Sequence, residues 1–122
     1  MRLAQPLAIA LLSLVLLPDA QAARTTNIRV RTTGELAELC AANPNQPLGD
    51  AMVNFCHGFA QGVVDMALHG ANRPFCFPSP PPTRNATLAD FVGWVRAEPA
   101  RSREPAAEGL TQFLAQRYAC NK

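Results

Sequence analysis

Four cysteines constrain the fold of this chain more than any other feature. Cys40, Cys56, Cys76 and Cys120 are separated by 15, 19 and 43 residues. A structural zinc site usually has only about two to four residues between paired cysteines, so these gaps argue against a metal site. An even number of cysteines in a small exported chain indicates a disulfide framework. We therefore predict two disulfides, no metal and no cofactor.

The N-terminus predicts the compartment. Arg2 precedes an apolar run over residues 7–17, and Ala20 and Ala22 then supply small residues where a signal peptidase cleaves. The run is shorter than the roughly 20 apolar residues of a membrane-spanning helix. Because Pro18 ends it early, a retained anchor is the weaker alternative. We predict that residues 1–22 are a cleavable signal peptide and that the mature chain is periplasmic, without a membrane attachment.

The mature chain, residues 23–122, has the size of one small domain. A domain of about 100 residues buries only roughly 60–70% of its unfolded surface, so its core alone gives marginal stability. The formal net charge of the whole chain is only +2. A nucleic-acid-binding domain usually carries a strongly basic patch or stripe, and we therefore expect no nucleic-acid partner.

The residue pattern predicts an all-α domain over residues 35–122, preceded by an extended arm over residues 23–34. Thr32 and Glu35 form a capping-box pattern at the start of a first short helix. Turn-forming residues at 43–49 end that helix. Residues 27–31 alternate polar and apolar, but no partner strand is evident, so we favour a flexible arm over a strand.

The second helix has the clearest pattern. Asp50 is its predicted cap, and it extends to about residue 68 with an apolar face and a polar face, as in an amphipathic core helix. Gly58 and Gly62 lie between the two faces and predict close approach of another backbone, within the fold or across a dimer. Glycines without a role are the alternative. The apolar face consists of Met52, Phe55, Cys56, Phe59, Val63, Met66 and Ala67.

Two further helices follow a proline-rich loop at residues 70–86. The third is predicted from Thr87, as its cap, to Pro99. The fourth begins near Pro105, since proline suits the first turn of a helix, and ends at Cys120. The sequence thus predicts a bundle of about four helices.

Four cysteines allow three disulfide pairings. The helix layout favours Cys40–Cys56, which would pin the corner between the first two helices. It also favours Cys76–Cys120, because Cys76 precedes the third helix and Cys120 ends the fourth, and these ends meet in an antiparallel hairpin.

Few residues of the mature chain are suited to catalysis. Ser79 and Ser102 are its only serines, and His57 and His69 lie on one predicted helix. Nothing in the sequence places a serine beside a histidine that a third residue orients, as a Ser–His–Asp triad requires. Cysteines in disulfides leave no thiolate nucleophile. Asp65, four residues before His69, predicts a local hydrogen bond or ion pair. We therefore predict that the chain is not an enzyme.

Three segments carry a family resemblance. A helix motif, a Cys76-Phe77-Pro78 turn and a closing Tyr118-Ala119-Cys120 follow one another between residues 36 and 120. The helix motif consists of Phe55, Cys56, Gly58, Phe59, Gly62 and Asp65. This order resembles the Rap/Tai-type immunity proteins of type VI secretion. The chain departs from the family pattern in its prolines at residues 78–82 and in Ala119, where proline is common.

The resemblance implies a function. Members of that family are periplasmic, helical and often dimeric, and they neutralise peptidoglycan amidase toxins by blocking the active site. We expect a protein partner of this kind, and a homodimer, for this chain. Candidate partner contacts are Phe77 and Arg84 in the proline-rich loop, and Arg96 and Arg101 in the connector between the third and fourth helices (residues 96–103). The alternative is that both segments are ordinary solvent-exposed connections. The alternative functions are a periplasmic acid-stress chaperone or a small structural protein with no toxin partner.

Overall fold

A computed structural model describes residues 28–120 of the chain. This part contains four α-helices and no β-strand. The helices are α1 (Thr33–Cys40), α2 (Gly49–His69), α3 (Arg84–Ala97) and α4 (Ala106–Arg117), with a 3-10 helix (Pro99–Arg103) before α4. The predicted all-α bundle is therefore confirmed. The predicted signal peptide lies outside the described residues. Residues 28–120 contain no candidate transmembrane helix.

The start of α1 is fixed by the predicted capping box. The Thr32 hydroxyl accepts a hydrogen bond from the Glu35 amide at 3.2 Å. The Glu35 carboxylate accepts in turn from the amides of Arg31, at 2.7 Å, and Thr32, at 3.1 Å. These two bonds, chiefly the one from Arg31, hold the pKa of the Glu35 carboxyl below its usual value.

This cap predicts a pH-dependent contribution to stability. A lowered carboxyl pKa stabilises the fold above the ordinary glutamate value of about 4.3, and the stabilisation is lost as the pH falls through the folded-state pKa. We expect Glu35→Gln to lower the free energy of unfolding at neutral pH and to have less effect in strong acid. Urea denaturation at both pH values measures this. Glu38→Gln, on the same helix but outside the cap, is the matched control for the loss of a carboxylate, and an effect of Glu35→Gln that does not change with pH would contradict the prediction.

Residues 28–31 lie against the domain. The Arg31 carbonyl accepts a hydrogen bond from Ala106 at 2.9 Å, and the Thr33 amide donates to the Glu104 carbonyl at 2.8 Å. Ile28 and Val30 are half-buried against the core. This part of the predicted arm is therefore packed at the start of α4, where Thr32 forms an isolated bridge to Pro105.

The predicted caps of α2 and α3 were wrong. Leu48 occupies the N-cap of α2 with a φ of 64° and no side-chain bond, while Asp50 lies in the first turn and accepts from the Ala51 amide. Thr83, not Thr87, caps α3 by accepting from the Ala86 amide at 3.2 Å. The Thr87 hydroxyl instead donates within the helix to the Thr83 carbonyl.

The core lies where α1 packs against each of the other three helices. Phe75, from the loop after α2, is completely buried in it. Helix α4 ends at Arg117, three residues earlier than predicted. The fully buried residues of the core include Leu36, Cys56, Phe75, Phe91, Leu110 and Leu114.

Both predicted disulfides are present. Cys40–Cys56 joins the end of α1 to α2, with 5.2 Å between the Cα atoms. Cys76–Cys120 joins the loop after α2 to the segment after α4, with 4.9 Å between the Cα atoms. The Cys76 amide also donates to the Tyr118 carbonyl at 2.7 Å, which fixes the loop beside the C-terminal segment.

Candidate partner-binding surfaces

The predicted apolar face of α2 is only partly covered. Met66 is 79% exposed, and Phe59 and Val63 are half-buried. Among residues 28–120, nothing lies within 4 Å of the position that a Cβ atom would take at Gly58 or Gly62. Of the two predicted approaches of a backbone, the one within the fold is therefore not found among residues 28–120, and the one across a dimer stays a prediction. We call the surface formed by Gly58, Phe59, Gly62, Val63 and Met66 the α2 face.

The family motif on α2 is divided between the core and the surface. Cys56 is completely buried in its disulfide, whereas Gly58, Gly62 and Asp65 are exposed. The Asp65 carboxylate accepts from the Gln61 amide group at 2.8 Å. Gly58, Gly62 and Asp65 are therefore not part of the core. Packing within residues 28–120 does not explain why the family motif includes them.

The proline-rich loop forms one side of a pocket. The ring of Phe77 contacts Phe75 and Tyr118, with centroid distances of 5.3 Å and 5.1 Å. Arg84, at the first residue of α3, donates to the side-chain carbonyl of Gln61 at 3.1 Å. The pocket has a volume of about 330 Å³ and is lined by residues of α2, the loop, α3 and α4. Two of the predicted contact residues, Phe77 and Arg84, thus share one pocket.

The other two predicted contacts lie at the far end of α3. Arg101 stacks on the Trp94 ring, 4.1 Å from its centroid, and also donates to the Trp94 carbonyl at 2.6 Å. It forms an ion pair with Glu98 at 3.0 Å. Arg96 is exposed in the last turn of α3. Since a helix rises about 1.5 Å per residue, Arg84 and Arg96 are roughly 18 Å apart along the axis.

Within residues 28–120, the histidines and acidic residues do not cluster into a catalytic or metal-binding site. The His69 ring lies 2.7 Å from the backbone carbonyl of Asp65, so the local hydrogen bond involves the backbone and not the carboxylate. No group of three or more potential metal ligands is present in that range. All four cysteines are in disulfides.

Sequence reasoning did not find the pocket because its lining residues are distant in the chain. Gln61 and Arg84 are 23 positions apart in the chain. The spacing of apolar residues identifies the apolar face of one helix, but it does not show which segments that face meets. Pro81 and Pro82, which line the pocket, were predicted only as part of the proline-rich loop.

Two disulfides in a small all-α domain are typical of a protein from an oxidising compartment, and the uncovered α2 face and the proline-walled pocket are its candidate contact surfaces. The family profile of Rap1a immunity proteins matches residues 32–120. The chain therefore belongs to the Rap1a immunity protein family. Neither the curated proteins nor the solved structures include a significant match.

Proposed function

We propose that this protein is a periplasmic immunity protein that binds a peptidoglycan amidase delivered by type VI secretion and blocks its active site. The family match over residues 32–120 carries this proposal. Two disulfides support export to an oxidising compartment. The protein acts by binding and not by catalysis.

Inhibition by occlusion needs a surface that is ordered before binding, since ordering a loop on binding weakens affinity. The loop beside the pocket meets this need. Cys76 is bridged to Cys120, and Phe77 is held between Phe75 and Tyr118. Arg101 is likewise held by Trp94 and Glu98. We propose that Phe77, Arg84, Arg96 and Arg101 contact the amidase, because arginine and aromatic side chains dominate binding energy at interfaces.

A growth assay tests the proposal together with its compartment. A sensitive strain that exports the neighbouring amidase effector should lyse, and the full chain should protect it. A chain lacking residues 1–22 should not protect, although it still binds once oxidised in vitro. Lysis despite abundant exported protein, for every amidase encoded nearby, would refute the proposal.

We further propose that the α2 face binds a second copy of the chain. It combines exposed Met66 and half-buried Phe59 and Val63 with two glycines that have no neighbour within 4 Å of their Cβ positions in the described part of the chain. Without Cβ atoms at Gly58 and Gly62, a facing helix can approach closely. Burying these apolar side chains on dimerisation provides the driving force.

Sedimentation velocity checks the dimer. We expect the wild-type protein to sediment as a dimer and Gly62→Gln to be monomeric at the same concentration, because the new side chain separates the two helices. Gly93→Gln is the matched control, since Gly93 is also exposed in a helix and no atom of residues 28–120 lies within 4 Å of its Cβ position. A monomeric wild-type protein, or a Gly62→Gln dimer of unchanged affinity, contradicts this assignment.

A further inference from the structure

The pocket beside the proline-rich loop lies over the hydrophobic core. Its floor includes Leu110 and Leu114, each 1% exposed, together with Leu88 and Ala60. Its walls are Val64, Phe77, Pro81, Pro82 and Thr87, and its mouth carries Gln61 and Arg84. The Thr87 hydroxyl is already engaged with the Thr83 carbonyl and the Tyr118 hydroxyl. The interior is therefore apolar, with polar groups at the mouth.

The pocket is large enough for more than one side chain. An engineered apolar cavity of about 150 Å³ holds a benzene molecule, and this pocket has about 330 Å³. Ligand sites in proteins begin near roughly 300 Å³. Because Pro81 and Pro82 have a fixed φ and Phe77 is held by its aromatic neighbours, the wall is formed before a ligand arrives.

Arg84 gives the mouth a positive charge. The ion pairs among residues 28–120 are Arg101–Glu98 and Arg117–Asp90, so Arg84 has no carboxylate partner in that range. Its guanidinium is bonded to the neutral Gln61 side chain, which itself donates to Asp65. Arg84 is also the first residue of α3, where the helix dipole disfavours a cation. Helix stability therefore does not explain the arginine at position 84. An anion beside the pocket would be attracted by the Arg84 guanidinium and by the positive end of the α3 dipole.

From these observations, and resting on the proposed immunity function, we propose that the pocket receives an aliphatic or aromatic side chain of the toxin. Arg84 pairs with a carboxylate adjacent to that side chain on the toxin. Apolar burial supplies affinity, and the charge pair fixes the orientation of the inserted segment. The toxin residue in the pocket is then a binding hot spot, as expected for an apolar anchor that is buried in a preformed pocket on binding.

The first experiment tests the chemistry of the free pocket. Isotope-labelled protein is titrated with N-acetyl-L-phenylalanine and with its amide, followed by NMR. We expect shifts at Val64, Thr87 and Leu88, dissociation constants in the millimolar range typical of so small a ligand, and tighter binding of the carboxylate. Arg84→Gln should abolish the preference for the carboxylate, and Arg103→Gln should retain it. Shifts confined to other surfaces, or equal binding of both compounds to the wild type, overturn the proposal.

The second experiment tests the occupant. Ala60→Leu and Val64→Phe fill the pocket from α2 and should weaken capture of the amidase effector by at least about 30-fold, the size of a hot-spot loss. Ala89→Leu, the same change at an exposed position of α3, should leave capture unchanged. Thermal unfolding and near-ultraviolet circular dichroism establish which filled variant is folded.

The outcomes separate this proposal from the immunity function. If the wild type and both folded, filled variants capture the effector equally, the pocket proposal fails and the immunity function stands. If the wild type captures no effector although the fragment binds, the immunity function fails and a toxin side chain is the wrong occupant. If filling changes self-association but not effector capture, the occupant is a second copy and the proposal is again overturned.

Discussion

Replacing Cys76 and Cys120 together by alanine should lower the free energy of unfolding by about 4 kcal/mol. The bridge closes a loop with a sequence separation of 44, and the chain-entropy model assigns most of its effect to the restricted unfolded state. Domains of this size have a total stability of only about 5–15 kcal/mol. The loop that carries Phe77 would lose its link to the C-terminal segment, so loss of the bridge should also weaken partner binding.

Urea denaturation of oxidised wild type and the two paired variants measures this effect. Cys40→Ala with Cys56→Ala should lose about 3 kcal/mol for its shorter loop, whose sequence separation is 16. It should also lose packing, because Cys56 is completely buried. A Cys76→Ala, Cys120→Ala variant that is as stable as the wild type would show that this disulfide does not support the fold.

Gly109→Ala should destabilise the protein by about 1–3 kcal/mol, the usual cost of overpacking a core. A Cβ atom there would overlap the Thr33 hydroxyl and lie 2.8 Å from its methyl carbon. Thr33 cannot move aside freely, because it is completely buried and its hydroxyl donates to the Glu104 and Pro105 carbonyls at 3.1 Å and 3.2 Å. Alanine gains about 1 kcal/mol over glycine in a helix, which is too little to offset this overlap and the disturbed hydrogen bonds.

Gly93→Ala is the matched control for this prediction. Gly93 lies in α3, and no described residue comes within 4 Å of its Cβ position, so the same substitution should raise the unfolding free energy by up to about 1 kcal/mol. Opposite signs for the two glycines, measured by urea denaturation, would confirm the close packing of α4 on α1. A stabilising Gly109→Ala would contradict that packing.

Local signals predicted much of this fold. The Thr32–Glu35 cap depends on residues three apart, and both of its hydrogen bonds are present. The disulfide pairing was predicted because helix lengths place the cysteines at corners that meet. The all-α class followed from the helical spacing of apolar residues.

Long-range features could not be predicted in the same way. Periodicity identifies an apolar face but does not say what covers it, so Met66 was assigned to the core although it is 79% exposed. Leu48 at the cap of α2 has a positive φ, a conformation that leucine rarely adopts, so sequence preference favoured Asp50. The pocket was the hardest feature to predict from the sequence, because its lining residues come from four separate segments of the chain.

Inhibition of a purified amidase tests the central claim most directly. The oxidised mature chain is titrated into the effector encoded nearest to it, and hydrolysis of peptidoglycan is followed. We predict that activity falls linearly to zero at a fixed stoichiometry, as expected for tight occlusion of the active site. Full activity in the presence of a large excess of folded, oxidised protein, for every amidase encoded nearby, would contradict the account.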